Sequence, residues 1–284
     1  MPSATLRTLD LPQVTLRRPV QAEGTGVHTG HACRVTIEPA GPDAGIVFGD
    51  ADGSFRLSAS RWIAAARCTM VGDGRLCVQT VEHLLAALSG LMIDNVRIMV
   101  DGPEVPILDG SAQPWVDRIL EAGTVELDAP AVAYVIREPV AVECGEARAA
   151  AAPHAALALS VTTEYQHPML GKQTYTAELT RDAFIRDLAP ARTFALAEEV
   201  EHVLARGLAR GADLSNTLLV YADHYSDALR VDDECLKHKV LDVLGDLCVL
   251  GRRLHATITV HKPGHAVNAQ LVQRLAGLGC DPLI

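Results

Sequence analysis

Aromatic side chains are scarce in this sequence and make up only 4% of its residues. Hydrophobic residues nevertheless account for 49% of the chain, so a core must be built mainly from alanine, valine and leucine. No stretch approaches the roughly 20 consecutive apolar residues of a membrane-spanning helix. With 284 residues, the chain can form one large domain or two modest ones. We therefore expect a globular protein without a membrane span.

Basic residues are outnumbered by acidic ones, 25 against 35, which gives a formal net charge of −10. A surface that binds nucleic acid needs lysine and arginine to displace counterions, so this balance argues against a nucleic-acid partner. If the substrate is an anion, the few basic side chains must be concentrated where it binds.

The seven cysteines form no CxxC pair and their number is odd, which argues against a disulfide framework and a thiolate zinc cluster. They fit a reducing compartment instead. The first residues, MPSATLRTLDLPQ, contain no apolar run of the kind that a signal peptide requires. We therefore expect a cytoplasmic protein.

Predicted strands precede predicted helices twice along the chain, which indicates an α+β fold made of two similar halves. The first half has predicted strands at 13–20, 31–40, 45–50 and 95–100 and predicted helices at 81–88 and 112–122. The second half has predicted strands at 132–143, 156–167 and 255–261 and predicted helices at 197–206, 234–250 and 266–278. We expect one domain over residues 1–126, a linker at 127–130 and a second domain over residues 131–284.

The most informative segment is LKHKVLDVLGDL, residues 236–247. Four of its apolar residues recur at helical spacing and predict a buried stripe: Leu236, Val240, Leu244 and Leu247. His238, Asp242 and Asp246 follow at intervals of four residues, so they form one line along the same helix. An imidazole and a carboxylate at this spacing can share a divalent metal, with a third ligand and water completing an open zinc site. A solvent-exposed polar face would have the same spacing, so the segment alone leaves both interpretations open.

A second candidate lies at the start of an otherwise apolar predicted helix, in the sequence TVEHLL. Thr80 is in a position to cap this helix and Gly90 to end it. Glu82 beside His83 would supply a general base next to a metal ligand, the arrangement needed to deprotonate water on a metal. The alternative is a partly exposed first turn in which Glu82 only interacts with the helix dipole.

A third candidate is the turn HKPGHAVN, residues 261–268, between a predicted strand and a predicted helix. Its proline and glycine present His265 at the helix start, where an imidazole could protonate a leaving amine. The helix dipole disfavours a charged imidazole there, so a carboxylate is needed beside it, and Asp246 is the natural partner. A capping or purely structural histidine would fit the turn equally well.

Three further segments carry weaker signals. The glycine-rich turn GTGVHTG at 24–30 matches neither the P-loop nor the dinucleotide-binding pattern. The segment EVPILDGS at 104–111 is expected to be a rigid structural turn. The segment ARTF at 191–194 could supply a hydroxyl donor and an apolar wall.

The segments GVHTG, TVEHLLAAL, EVPILDGSA, ARTF, HKVLDVLGDL and HKPGHAVN occur in an order that closely resembles the UDP-3-O-acyl-N-acetylglucosamine deacetylases of lipid A biosynthesis. The resemblance extends over nearly the whole chain. It implies two similar halves, each a β-sheet packed with helices, with the active site between them. It also implies a zinc-dependent hydrolase that removes the N-acetyl group of UDP-3-O-acyl-N-acetylglucosamine and releases acetate.

The resemblance also implies a role for each candidate at the reaction centre. His83, His238 and Asp242 would bind zinc, although two histidines and one aspartate also suit iron. The implied catalytic residues are the general base Glu82, the general acid His265, its charge partner Asp246, the oxyanion donor Thr193, and Lys239 at the polar head of the substrate.

The same resemblance implies four substrate-binding residues. These are Phe194, Tyr165 stacked on the uracil, Lys262 at the diphosphate, and His28. Phe194 and the inserted segment 195–221 would line an apolar passage for the O-linked acyl chain.

Two other functions remain open at this point. One is a diverged paralogue that uses the same zinc site on another N-acyl sugar or sugar nucleotide. The other is a binding protein that has kept the fold without activity, which the combined presence of a base, an acid and metal ligands disfavours. We expect a monomer whose partner is the UDP-linked acylated glucosamine.

Overall fold

The computed structural model describes residues 3–278 and 280–281 of the chain. Strands and helices of these residues together form an α+β fold, which confirms the predicted class. Within the described residues, no helix has the length and apolar character needed to span a membrane.

The secondary-structure elements are numbered in chain order. The strands are β1 (Ala4–Leu16), β2 (Val20–Thr25), β3 (Ala32–Pro39), β4 (Ile46–Asp50), β5 (Gly53–Arg56), β6 (Trp62–Ile63), β7 (Met70–Gly72), β8 (Cys77–Val78), β9 (Val96–Asp101), β10 (Thr124–Ile136), β11 (Val140–Cys144), β12 (Ala147–Ala152), β13 (Leu157–Glu164), β14 (Lys172–Glu178), β15 (Phe194–Leu196), β16 (Leu218–Val220), β17 (Arg253–His261) and β18 (Cys280–Asp281). The helices are α1 (Glu82–Gly90), α2 (Gln113–Ala122), the single turn α3 (Arg181–Ala183), α4 (Val200–Ala205), α5 (Glu234–Cys248) and α6 (His265–Ala276).

A five-stranded sheet in the order β2-β3-β9-β4-β5 contains most strands of the first half. Its neighbours pair antiparallel except β9 and β4, which are parallel. Buried and exposed residues alternate along β3, and Val35 and Ile37 are fully buried, because successive side chains point to opposite faces of a sheet. The inner face of this sheet contributes to the main hydrophobic core together with α1 and α5.

An eight-stranded sheet contains most strands of the second half. Its strands β11-β12-β17-β13-β14 follow the same succession of antiparallel and parallel pairings as the smaller sheet. The long strands β1 and β10 pair antiparallel, and β10 continues this sheet beside β17. The shared pairing order is consistent with two similar halves, and the division into two domains remains a prediction.

The helices α1 and α5 pack directly against each other in the core and determine where the functional residues lie. A Cβ atom added at Gly245 would lie 2.1 Å from the backbone oxygen of Glu82, so only glycine permits this approach. Since α5 is buried around most of its circumference, its polar residues are buried too: His238, Asp242 and Asp246 are 2%, 4% and 0% exposed. The alternative of a solvent-exposed polar face is therefore wrong.

Two local predictions are also wrong. The predicted linker at 127–130 lies inside β10, where Pro130 faces Pro12 of β1 at an irregularity of the strand register. Such irregularities tolerate proline, which is why the sequence looked like a break. Thr80 does not cap α1, because Val81 occupies the N-cap position and the Thr80 hydroxyl donates to Glu104 Oε1 at 2.6 Å.

Candidate active site

Residues from the start of α1, the middle of α5 and the start of α6 meet at one cavity of about 580 Å³. The buried side chains of His83, His238 and Asp242 each present a ligand atom there, and these atoms lie within 4.8 Å of one another. The structure thus brings together the three predicted metal ligands, although 155 positions separate His83 from His238 in the chain. No other such group occurs in the described part of the chain.

The geometry of these three side chains fits a tetrahedral metal ion. Asp242 Oδ1 lies 3.7 Å from His83 Nε2 and 3.4 Å from His238 Nε2. Ligand atoms at about 2.1 Å from a tetrahedral zinc ion lie about 3.4 Å apart. His238 Nδ1 is 3.0 Å from the backbone oxygen of Ala191, so it carries the hydrogen and leaves the Nε2 lone pair for a metal.

The protonation states of this group also suit a cation. Burial lowers the pKa of His238 to about 4, which keeps the imidazole neutral. Burial alone would raise the pKa of Asp242, but His238 and Lys239 hold it well below its usual range. Lys239 Nζ lies 2.6 Å from Asp242 Oδ2, so the carboxylate keeps its other oxygen for the two imidazoles.

Glu82 lies beside the three potential ligands and lines the same cavity. Only 3% of it is exposed, and this burial raises the pKa of its carboxyl to about 6. Its Oε2 accepts a hydrogen bond from the Thr69 backbone nitrogen at 3.0 Å. The alternative of a partly exposed first turn is wrong, because Glu82 and His83 are both buried.

His265 completes the polar end of the cavity and is held by Asp246. Its Nδ1 donates to Asp246 Oδ2 at 2.9 Å, and its Nε2 lies 3.8 Å from Glu82 Oε1. Burial would lower the pKa of His265, but the Asp246 carboxylate and the other nearby acids raise it to about 9. The imidazole is therefore charged at neutral pH, and Glu82 is the acidic neighbour of its Nε2.

Two residues without a predicted role complete this network. Asn268 Nδ2 donates to Asp246 Oδ2 at 2.8 Å, and the Thr69 hydroxyl donates to Asp246 Oδ1. Thr69 therefore contacts both Glu82 and Asp246. Asn268 ends the HKPGHAVN segment and could have been noticed there, whereas no local pattern around Thr69 indicates its role.

The rest of the cavity is mainly apolar. Four residues with a predicted role at the substrate line it: Thr193, Phe194, His28 and Lys239. The segment 195–221 contributes the apolar side chains Ala195, Val200, Val203, Leu204, Ala209, Ala212, Leu214 and Leu219. A polar end next to a long apolar wall suits a substrate with a reactive polar group and a hydrocarbon chain.

Tyr165 and Lys262 do not line this cavity. Tyr165 packs edge-on against Phe194, with ring centroids 6.0 Å apart, so it lies behind the cavity wall. Lys262 Nζ forms an ion pair with Glu146 Oε2 at 2.6 Å. Their predicted contacts with the nucleotide remain predictions.

The chain matches one family model and many curated proteins. The model of the UDP-3-O-acyl N-acetylglycosamine deacetylase family matches residues 13–277. The UDP-3-O-acyl-N-acetylglucosamine deacetylase of Syntrophotalea carbinolica is 37% identical over 279 residues, covering 96% of this chain and 90% of that protein. The deacetylases of the same name from Oleidesulfovibrio alaskensis and Bdellovibrio bacteriovorus are 40% and 38% identical, covering 90% and 93% of this chain and 86% and 89% of their own.

Proposed function

Because the chain belongs to the UDP-3-O-acyl N-acetylglycosamine deacetylase family and is therefore a hydrolase, we propose that it deacetylates UDP-3-O-acyl-N-acetylglucosamine with a bound zinc ion. The reaction belongs to lipid A biosynthesis and releases acetate. The observation that carries the zinc proposal is the convergence of His83, His238 and Asp242 next to an ionised acid–base pair.

These three residues fit a catalytic zinc site by their chemistry. Two imidazoles and one carboxylate leave coordination positions open, as hydrolytic zinc enzymes require. When bound, the ion would act as a Lewis acid that polarises the acetyl carbonyl and lowers the pKa of water to about 7. The same donor set accepts iron, so metal analysis must identify the ion.

Glu82 is the general base in this proposal. With a pKa of about 6, its carboxylate is mostly ionised at neutral pH and still basic enough to take a proton from the attacking water. Its hydrogen bond from the Thr69 nitrogen fixes Oε2, and Oε1 remains directed towards His265. The water oxygen then forms the new bond to the acetyl carbon.

His265 is the general acid. Since Asp246 holds Nδ1, the proton available for transfer is on Nε2, which faces the reacting group. As the carbon–nitrogen bond breaks, this proton passes to the departing amine, and acetate leaves. Thr193 and Lys239 line the same space, where a hydroxyl and an ammonium can stabilise negative charge on the carbonyl oxygen and bind polar groups of the sugar.

The apolar wall from segment 195–221 is proposed to bind the O-linked acyl chain. A hydrocarbon chain gains about 0.8 kcal/mol for each methylene that it buries there. The wall therefore favours an acylated sugar over a simple N-acetyl sugar. The alternative hypothesis, a paralogue that acts on another N-acyl sugar, does not account for this wall.

Mass spectrometry of the substrate tests this proposal. The protein is incubated with UDP-3-O-acyl-N-acetylglucosamine alone, with a chelator, and with chelator followed by zinc. We expect loss of one acetyl group, its prevention by the chelator, and its recovery with zinc. A protein that acts only on simple N-acetyl sugars, or equally well without metal, would contradict the proposal.

A further inference from the structure

The carboxylate of Glu104 is completely buried and joins three separate segments. Each of its two oxygens accepts two hydrogen bonds. Oε1 accepts from the His28 nitrogen at 3.0 Å and from the Thr80 hydroxyl at 2.6 Å. Oε2 accepts from the Thr29 nitrogen at 2.9 Å and from the Thr29 hydroxyl at 2.7 Å. A buried carboxylate needs such donors because it has lost its water.

One set of these bonds orders the glycine-rich turn 26–30. A Cβ atom at Gly26 would lie 2.2 Å from Glu104 Oε2, so the turn closes around the carboxylate only because this residue is glycine. The turn presents His28 to the cavity. Its backbone oxygens at Val27 and His28 also accept hydrogen bonds from Gly211 and Arg210 at 3.0 and 3.4 Å, so it supports the segment that forms the apolar wall.

The remaining bond holds the entrance to α1. Thr80 has a φ of 55°, a conformation that threonine rarely adopts and that persists only where neighbouring groups enforce it. Its hydroxyl bond to Glu104 is one such restraint. Glu82 and His83 follow within three residues, so the backbone at Thr80 determines where both side chains begin.

The backbone around Glu104 lies between these two regions. Val105 N donates to Gln79 O at 3.0 Å, next to Thr80, and Ile107 N donates to Thr25 O at 3.0 Å, next to the turn. The side chain of Glu104 thus reinforces a link that the backbone already makes. Its carboxylate contacts both the turn and Thr80, two residues before α1 begins.

We propose that Glu104 is a positioning residue. It fixes the position of Glu82 and His83 at the start of α1 relative to the glycine-rich turn 26–30 and to the apolar wall that this turn supports. This inference rests on the proposed function for its kinetic consequences. The helix side of the link controls the placement of Glu82 and His83 and therefore kcat. The turn side controls the cavity wall and therefore KM for an acylated substrate.

Three variants separate the two sides of the link. Glu104→Gln keeps the side-chain shape but turns an NH₂ group towards N–H or O–H donors, and it should lower kcat/KM by up to about 10²-fold. Thr80→Gly removes the hydroxyl bond and relaxes the backbone, so it should lower kcat by about tenfold with a smaller change in KM. Thr29→Val removes the hydroxyl bond to Glu104 and the bond that this hydroxyl accepts from the His31 nitrogen, both on the turn side. It should raise KM about fivefold with a smaller change in kcat.

The matched control is Thr15→Val. Thr15 is buried, whereas Thr29 is half-buried, but both hydroxyls donate one hydrogen bond and accept another from a backbone nitrogen. The Thr15 hydroxyl donates to the Asn95 oxygen at 2.6 Å and accepts from the Ala40 nitrogen at 3.0 Å, in a part of the fold away from the cavity. This variant should lower the melting temperature at least as much as Thr29→Val, but it should not raise KM relative to its effect on kcat. A loss of stability alone would therefore not produce the expected kinetic pattern.

Amide hydrogen exchange gives a readout that does not depend on activity. We expect faster exchange at 26–30 in Thr29→Val, at 80–84 in Thr80→Gly, and in both segments in Glu104→Gln. If wild-type protein is inactive but this exchange pattern appears, the proposed function fails and the positioning role stands. Wild-type kinetics and exchange in Glu104→Gln would overturn the inference, as would threonine variants that change kcat and KM in equal proportion. If Glu104→Gln does not fold, the two threonine variants decide.

Discussion

Replacing Asp246 with asparagine should make the loss of activity depend on pH. Asp246→Asn keeps the size of the side chain and can still accept the Nδ1 hydrogen bond, but it removes the carboxylate that contributes most to holding the pKa of His265 at about 9. Burial then lowers the pKa of His265 towards its ordinary value of 6.5, opposed only by the smaller effects of Glu82 and Asp242. The general acid works only when it is protonated, so the activity of the variant should fall relative to wild type as the pH rises.

The magnitude follows from the protonated fraction of His265. At pH 8 an imidazole of pKa 9 is about 90% protonated, whereas one of pKa 6.5 is about 3% protonated, a difference of about 30-fold. At pH 6 both forms are mostly protonated and the difference is less than about twofold. The variant should therefore lose up to about 30-fold at pH 8 from this cause, in addition to any loss that is the same at every pH.

The assay is kcat/KM of wild type and Asp246→Asn between pH 5.5 and about 9.5, with metal content checked at each end. His265→Ala is the comparison, since it has no acid to titrate and should be impaired at every pH. Equal losses in Asp246→Asn at pH 6 and pH 8 would refute the account of Asp246 as the charge partner.

Three other substitutions test separate parts of the site. Glu82→Gln should retain the metal but lower kcat by about 10²–10⁴-fold, measured by turnover and metal analysis, and near-normal turnover would exclude it as the base. Gly245→Ala should destabilise the fold by about 1–3 kcal/mol or more and reduce activity, because its Cβ would meet the Glu82 backbone oxygen; an unchanged melting temperature would contradict this packing. Val203→Trp should narrow the cavity beside the apolar wall and lower kcat/KM for long acyl chains more than for short ones. An equal loss for all chain lengths would show that the acyl chain binds elsewhere.

The sequence was most informative where polar residues recur at the spacing of one helix. The i, i+4, i+8 spacing in α5 predicted that His238, Asp242 and Asp246 share one line, and the structure confirms this. Spacing alone could not separate a buried line from an exposed one, because burial depends on α1 and both sheets. The family resemblance was needed to bring His83 to the same place.

Contacts between distant segments had no such signal. Thr69 bonds to Asp246, 177 positions away, and nothing beside Thr69 in the chain indicates that partner. Thr80 looked like a helix cap by residue type, yet its hydroxyl is used by Glu104. The segment that contains Glu104 was expected to be a structural turn. Only the contacts of its carboxylate identify the turn 26–30 and Thr80 as the parts that it joins.

The most direct test of the central claim is a crystal structure of the zinc-loaded protein with anomalous scattering measured at the zinc edge. The account predicts one strong peak at about 2.0–2.2 Å from His83 Nε2, His238 Nε2 and an oxygen of Asp242. An active crystal form with its metal bound by other residues, or with no metal between these three, would contradict it.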